Sequence, residues 1–234
     1  MTQRAHRDNQ RDIVKSAAEV RVPPIGLAGS LRIPDEARGL VVFAHGSGSS
    51  RLSPRNMKVA EGLNRFGFAT LLFDLLTAEE EGDRANVFDI ELLAARLANA
   101  VAWLDREPMT AGLPIGLFGA STGAAAALTA AAGLGEKVQA IVSRGGRPDL
   151  AGDVLDRIQV PTLLIVGGAD FGVIALNEQA LARLAGPKAL EIVPGASHLF
   201  PEPGALEAVI NHAARWFARY LTGAAAAAGR AAHD

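Results

Sequence analysis

Three short stretches of the sequence carry residue types able to do nucleophilic chemistry. Gly119-Ala120-Ser121-Thr122-Gly123 has the form G-x-S-x-G. It follows an apolar run ending at Phe118 and precedes a run of alanines suited to a tightly packed helix. Between a strand and a helix such a turn is sharp, forces the serine into a strained backbone conformation and requires small neighbours. The strain lifts the hydroxyl clear of the sheet, and the start of the helix favours developing negative charge. Two further apolar runs continue into Gly167-Gly168-Ala169-Asp170 and Pro194-Gly195-Ala196-Ser197-His198. Taken singly, the aspartate reads as a helix cap and the histidine as an incidental loop residue. Together they give the chain order Ser121, Asp170, His198, which is that of a triad at the carboxyl ends of a parallel sheet. A serine hydroxyl attacks only if a base takes its proton. His198 is the expected base, with Asp170 fixing its tautomer and stabilising the imidazolium.

Other residues compete for roles. His45 precedes glycine in His45-Gly46-Ser47-Gly48 and reads as shaping that loop, whereas His212 lies near the polar face of a helix and reads as solvated. Asp74 ends an apolar run and is expected to serve as a structural hydrogen-bonding group rather than as the triad acid. Arg51 closes a stretch of small polar residues, and Arg144 and Arg147 flank two glycines after another run. These arginines form a candidate substrate rim, since guanidinium groups grip carboxylates or phosphates bidentately. Pairing of Arg144 and Arg147 with Asp149 and Asp153 is the favoured alternative. Ser47-Gly48-Ser49-Ser50-Arg51 lacks G-x-x-x-x-G-K-[ST] and is not a phosphate loop.

The elements that must position these residues follow from the hydrophobic pattern. Runs at 39–44, 69–73, 114–118, 138–142, 161–166 and 189–193 are nearly all apolar, as for strands covered on both faces. Residues 19–22 and 30–33 alternate instead, which suits an antiparallel pair at a sheet edge. Ser53-Pro54 opens a helix running to about Phe66. Ile90, Leu93, Ala94, Leu97, Val101 and Leu104 share one helical face, and Leu206, Val209, Ile210, Ala213, Phe217 and Tyr220 share another. Alternating strands and helices imply a mainly parallel sheet wrapped by helices, in one α/β domain. The domain is expected over 17–222, after a flexible polar lead-in at 1–16 and before an alanine-rich tail at 223–234.

Composition sets limits on function. The 234 residues are 49% hydrophobic with a formal net charge of −2, which argues against a nucleic-acid binder. With no cysteine there is no disulfide, thiolate metal site or cysteine nucleophile, and the five histidines form no close pair. No metal or organic cofactor is expected. No run approaches the roughly 20 apolar residues of a membrane span, and the first ten residues lack the apolar core of a signal peptide. A cytoplasmic protein is the simplest expectation.

From about residue 19 to 221 the chain resembles the α/β-hydrolase superfamily, and most of all its dienelactone-hydrolase-like esterases. The resemblance rests on His45-Gly46-Ser47-Gly48, Gly119-Ala120-Ser121-Thr122-Gly123, Gly168-Ala169-Asp170 and Gly195-Ala196-Ser197-His198, together with the absence of a cap insertion. It implies an oxyanion hole made by the backbone N–H groups of Ser47 and Thr122. Dienelactone hydrolases proper use a cysteine nucleophile where this chain has Ser121, so the lactone substrate is not carried over. The resemblance implies hydrolysis of small or short-chain carboxylic esters through an acyl-enzyme. The same triad could serve acyl transfer, thioester or lactone hydrolysis. A non-catalytic binding module on this fold is the rival from a different class. Epoxide hydrolases and haloalkane dehalogenases are disfavoured, since they need aspartate at position 121.

Overall fold

The continuous apolar runs become strands with no wet face. In the computed structural model, which describes residues 14–221, the strands are β1 (Val14–Val22), β2 (Leu27–Pro34), β3 (Leu40–Ala44) and β4 (Ala69–Phe73). They continue as β5 (Ile115–Ala120), β6 (Val138–Arg144), β7 (Thr162–Gly167) and β8 (Lys188–Val193). One eight-stranded sheet results, in the order β1-β2-β4-β3-β5-β6-β7-β8. The strands from β4 to β8 in this order are parallel, and only the β1–β2 and β2–β4 pairings are antiparallel. This is the α/β-hydrolase arrangement, in a single domain without a large cap. The alternating segments at 19–22 and 30–33 do form the antiparallel edge pair. Pairing begins earlier than the expected domain start, with Val14 opposite Pro34 and Ser16 opposite Ile33. The rest of the expected lead-in and the tail at 223–234 lie outside the described residues.

In β3 the pleat divides the core. Leu40, Val42 and Ala44 join one hydrophobic cluster, while Val41 and Phe43 join another. Helices α1 (Pro54–Arg65) and α7 (Ala205–Tyr220) cover the second cluster. Helices α4 (Ile90–Leu104), α5 (Thr122–Leu134) and α6 (Phe171–Arg183) pack on the first. Two short helices, α2 (Ala78–Glu81) and α3 (Arg84–Phe88), lie between β4 and α4. The sequence pattern gave no sign of them, because four or five residues do not complete a periodic face. A 3₁₀ segment at Pro148–Arg157 links β6 to β7.

Phe43 and Phe118 are register partners on β3 and β5, with ring centroids 4.8 Å apart. Such a pair contributes roughly 0.5–1.5 kcal/mol beyond its buried area. It anchors the two strand ends from which the His45 loop and the Ser121 turn spring. Among the described residues no helix is long and apolar enough to cross a membrane.

Candidate active site

Ser121 sits between β5 and α5 with φ 52° and ψ −123°. A non-glycine residue held there costs on the order of 1–3 kcal/mol and persists only where its surroundings over-determine it. They do so here. Ser121 N–H donates to the Arg144 carbonyl at 3.3 Å, and the Ser121 carbonyl accepts from Arg147 N–H at 3.0 Å and Ala124 N–H at 3.1 Å. The flanking glycines are required by space. A Cβ on Gly119 would lie 2.4 Å from Ala124 Cα, and one on Gly123 would lie 2.2 Å from the Ala44 carbonyl oxygen. The helix start is thus pressed against the ends of both β5 and β3.

The aspartate and histidine loops are clipped to each other before their side chains meet. Ala169 N–H donates to the Ala196 carbonyl at 2.9 Å, and Gly168 N–H to that of Val193 at 2.8 Å. Asp170 occupies the N-cap position of α6 but makes no side-chain cap. Its Oδ2 instead accepts from His198 Nδ1–H at 2.6 Å. The helix-cap reading is thereby set aside, and with Nδ1 protonated the lone pair of Nε2 is left to act as base. Glu202 steadies the loop by accepting from Ser197 N–H at 3.0 Å, and hydrogen bonding to Ser197, chiefly to its side chain, lowers the Glu202 carboxyl pKa. Ser121 Oγ makes no hydrogen bond to His198 in this structure, so the Asp170–His198 pair is formed without the serine. Catalytic hydrogen bonds of this kind commonly tighten only when substrate is bound.

On the opposite side, His45 is buried and ties two strand ends together. Its Nε2 accepts from Leu75 N–H at 3.0 Å, and its Nδ1–H donates to the Gly46 carbonyl at 3.1 Å. Burial lowers its pKa from 6.5, against smaller opposing effects of Gly46, Asp74 and Glu81. It shapes the loop and does not compete as base. The next residues depart from the simplest oxyanion hole. Ser47 N–H already donates to Thr122 Oγ1 at 2.9 Å, so it faces a side chain rather than open space. Thr122 N–H, at the first position of α5, has no partner among the described residues and is the free donor.

The arginine rim is divided by the structure. Arg51 is held by Asp74 and Glu19, at 3.6 and 3.5 Å, and is not a free rim residue. Asp74 also accepts from Arg51 N–H at 2.8 Å, the structural role expected of it. Arg147 forms a bidentate pair with Asp149 at 2.8 and 2.7 Å, as the ion-pair reading anticipated. Asp153 pairs with Arg183 instead. Arg144 meets no carboxylate among the described residues. It turns inward, 7% exposed, and its one side-chain hydrogen bond runs from Nη2 to Asn56 Oδ1 at 3.2 Å. His212 is not merely solvated, since its Nδ1 lies 3.8 Å from Glu191 Oε2.

A cavity of about 530 Å³ opens beside the His45 loop, lined in part by His45, Gly46, Ser47, Ser53, Arg55 and Glu81. Of this lining Gly46 lies against Ser121, for a Cβ there would lie 2.9 Å from Ser121 Cβ. Sequence reasoning missed Arg55, Asn56 and Glu202. Ser53-Pro54-Arg55-Asn56 was legible only as a helix start, and Glu202, four residues past His198, carried no pattern of its own.

Comparison with known proteins agrees with this geometry. The family model described as "Dienelactone hydrolase family" matches residues 27–222. A dienelactone hydrolase structure from Anabaena variabilis is 58% identical, with TM-score 0.83, covering 88% of this chain and 97% of that one. Est1E from Butyrivibrio proteoclasticus, 17% identical with TM-score 0.73 over 87% of this chain and 98% of its own, shares the fold. Two Mycobacterium tuberculosis proteins, from strains CDC 1551 and H37Rv and provisionally named phosphoribosyl transferases, are each 57% identical over 230 residues. That match covers 94% of this chain but only 52% of theirs, so the chain spans about half the length of these relatives. Fold, turn and family model converge: the chain belongs to the dienelactone hydrolase family.

Proposed function

We propose that the chain hydrolyses small or short-chain carboxylic esters through an acyl-enzyme on Ser121. The observation that carries this reading is the strained Ser121 turn facing a formed Asp170–His198 pair at 2.6 Å. In acylation, Ser121 Oγ bonds to the ester carbonyl carbon while its proton passes to His198 Nε2. The oxyanion so formed meets Thr122 N–H. Such a donor is worth about 3 kcal/mol in the transition state. Collapse breaks the carbon–oxygen bond to the alcohol, which leaves with the proton from His198. Water then attacks the acyl-enzyme by the same route, regenerating Ser121 and releasing the acid.

Ser47 has a different part in this scheme. By donating to Thr122 Oγ1 it aligns that hydroxyl, whose own proton remains free to turn toward the oxyanion. Beyond the reacting atoms, Phe171 and Leu199 directly follow Asp170 and His198 and are 77% and 46% exposed. Large apolar side chains left in water beside catalytic groups suit the hydrocarbon part of an ester. Phosphoribosyl transfer, named for relatives about twice as long, is not carried over to this chain.

The test is release of nitrophenol from esters of increasing acyl length by wild type and Ser121→Ala. Turnover of short esters that falls by roughly 10⁴-fold or more in the variant supports the reading. Equal rates for both proteins, or no turnover of any ester, thioester or lactone by folded protein, would reject it.

A further inference from the structure

Two guanidinium groups near Ser121 lack a counter-ion among the described residues. Arg144 is the last residue of β6, and its carbonyl holds Ser121 N–H. Its side chain is 7% exposed, and Nε and Nη1 have no hydrogen-bond partner. Arg55 lies in the first turn of α1, and its Nε is likewise buried without a partner. The two are close enough for the charge of Arg55 to add to burial in lowering the Arg144 pKa to about 10, which leaves it a cation at neutral pH. No carboxylate lies within 4.0 Å of either guanidinium among the described residues. Glu81, on the wall of the same cavity, is exposed and pairs with neither. A buried cation without a counter-ion is strongly disfavoured, and Arg147, three residues further on, has Asp149. Among the described residues Arg144 meets the Asn56 amide oxygen and the face of the Phe200 ring, 6.0 Å from Cζ to the ring centroid, and neither supplies a full balancing negative charge.

Position and charge together identify that ligand. Asn56 links Arg144 to the start of α1, where the helix dipole favours anions. Arg55 opens on the cavity whose Gly46 wall touches Ser121. A monocarboxylate would balance one of the two cations. A phosphomonoester carries about −1.5 to −2 at neutral pH and balances both. Its tetrahedral oxygens also suit two guanidinium forks. We propose that Arg144, Arg55 and Asn56 form a subsite that takes the phosphate group of a phosphorylated substrate whose ester carbon is presented to Ser121. The assignment of the ester carbon rests on the serine-hydrolase reading, whereas anion binding does not.

Calorimetric titration of the folded chain with inorganic phosphate, and separately with acetate, tests it. Phosphate is expected to bind saturably, to inhibit turnover of a neutral nitrophenyl ester competitively, and to bind at least tenfold more tightly than acetate. Arg144→Met and Arg55→Met should each weaken phosphate binding roughly 10- to 100-fold, the effect of losing one charge-assisted pair. Arg183→Met, at a surface ion pair, should leave it unchanged. Without phosphate, Arg144→Met should melt at or above the wild-type temperature, because it removes an unpaired buried charge. A purely structural arginine would melt lower. If Arg144→Met does not fold, the half-buried Arg55 carries the test.

No saturable phosphate binding by folded wild type would overturn the proposal, as would phosphate binding undiminished in both variants. Acetate binding as tightly as phosphate would replace the phosphate with a carboxylate. Phosphate binding without any ester turnover would support the subsite and reject the hydrolase reading instead.

Discussion

Replacing Gly123 with alanine tests whether the nucleophile is positioned by the contact between α5 and β3. The added Cβ would sit 2.2 Å from the Ala44 carbonyl oxygen and 2.6 Å from that of His45. Side-chain carbons essentially never come within 3.0 Å of such atoms, so the start of α5 must retreat by about 0.8 Å. Both obstacles are backbone, and no side-chain rotation relieves them. Overpacking of this kind costs about 1–3 kcal/mol. For a domain of this size that corresponds to a fall in Tm of roughly 2–12 °C. The retreat also displaces Thr122 N–H and Ser121 together, and a misplacement near 1 Å can lower the rate about 100-fold. Differential scanning calorimetry and nitrophenyl ester kinetics on the same preparation read both effects. The expected result is a lower Tm with kcat reduced about 100-fold. A Gly123→Ala protein with wild-type Tm and wild-type kcat would refute the claim that this contact sets the geometry of the turn.

Three other outcomes follow from the site. Asp170→Asn should keep the fold and lower kcat by about 10⁴-fold, since an amide presents its NH₂ group to Nδ1 and favours the wrong tautomer; steady-state kinetics with a circular-dichroism check measure this. Thr122→Val should lower kcat about 10- to 100-fold while Thr122→Ser retains most activity, because the hydroxyl held by Ser47 N–H is lost only in the first. His45 is held neutral by burial, below its ordinary value of 6.5. Its contribution to stability is therefore complete above pH 6.5 and is lost as pH falls toward the depressed folded value, by up to about 1.4 kcal/mol per unit. Urea melts at pH 7.5 and 5.5 should give wild type a larger loss than His45→Gln; equal losses would contradict this.

How much of this was written in the sequence depends on whether a feature is local. β3 is legible because a strand covered on both faces needs every residue from Leu40 to Ala44 to be apolar. The three site positions are legible because each directly follows such a run, and their order along the chain limits their roles. Ser47 was misread in part for the opposite reason. What its N–H meets is decided by the Thr122 side chain, 75 residues away, and no local pattern records that. Arg144 and Arg147 look alike in sequence, three residues apart on either side of two glycines. Arg144 ends a buried strand and turns inward, whereas Arg147 lies past the turn within reach of Asp149. Helices α2 and α3 begin at the capping residues Thr77 and Asp83, and of their residues only Val87 packs on the main core.

Intact-mass spectrometry after brief exposure to a fluorophosphonate, with peptide mapping of the labelled protein, tests the central claim most directly. The account predicts one adduct per chain, on Ser121, absent from Ser121→Ala and strongly slowed in His198→Gln. No adduct on folded wild type, or an adduct on another residue that persists in Ser121→Ala, would contradict it.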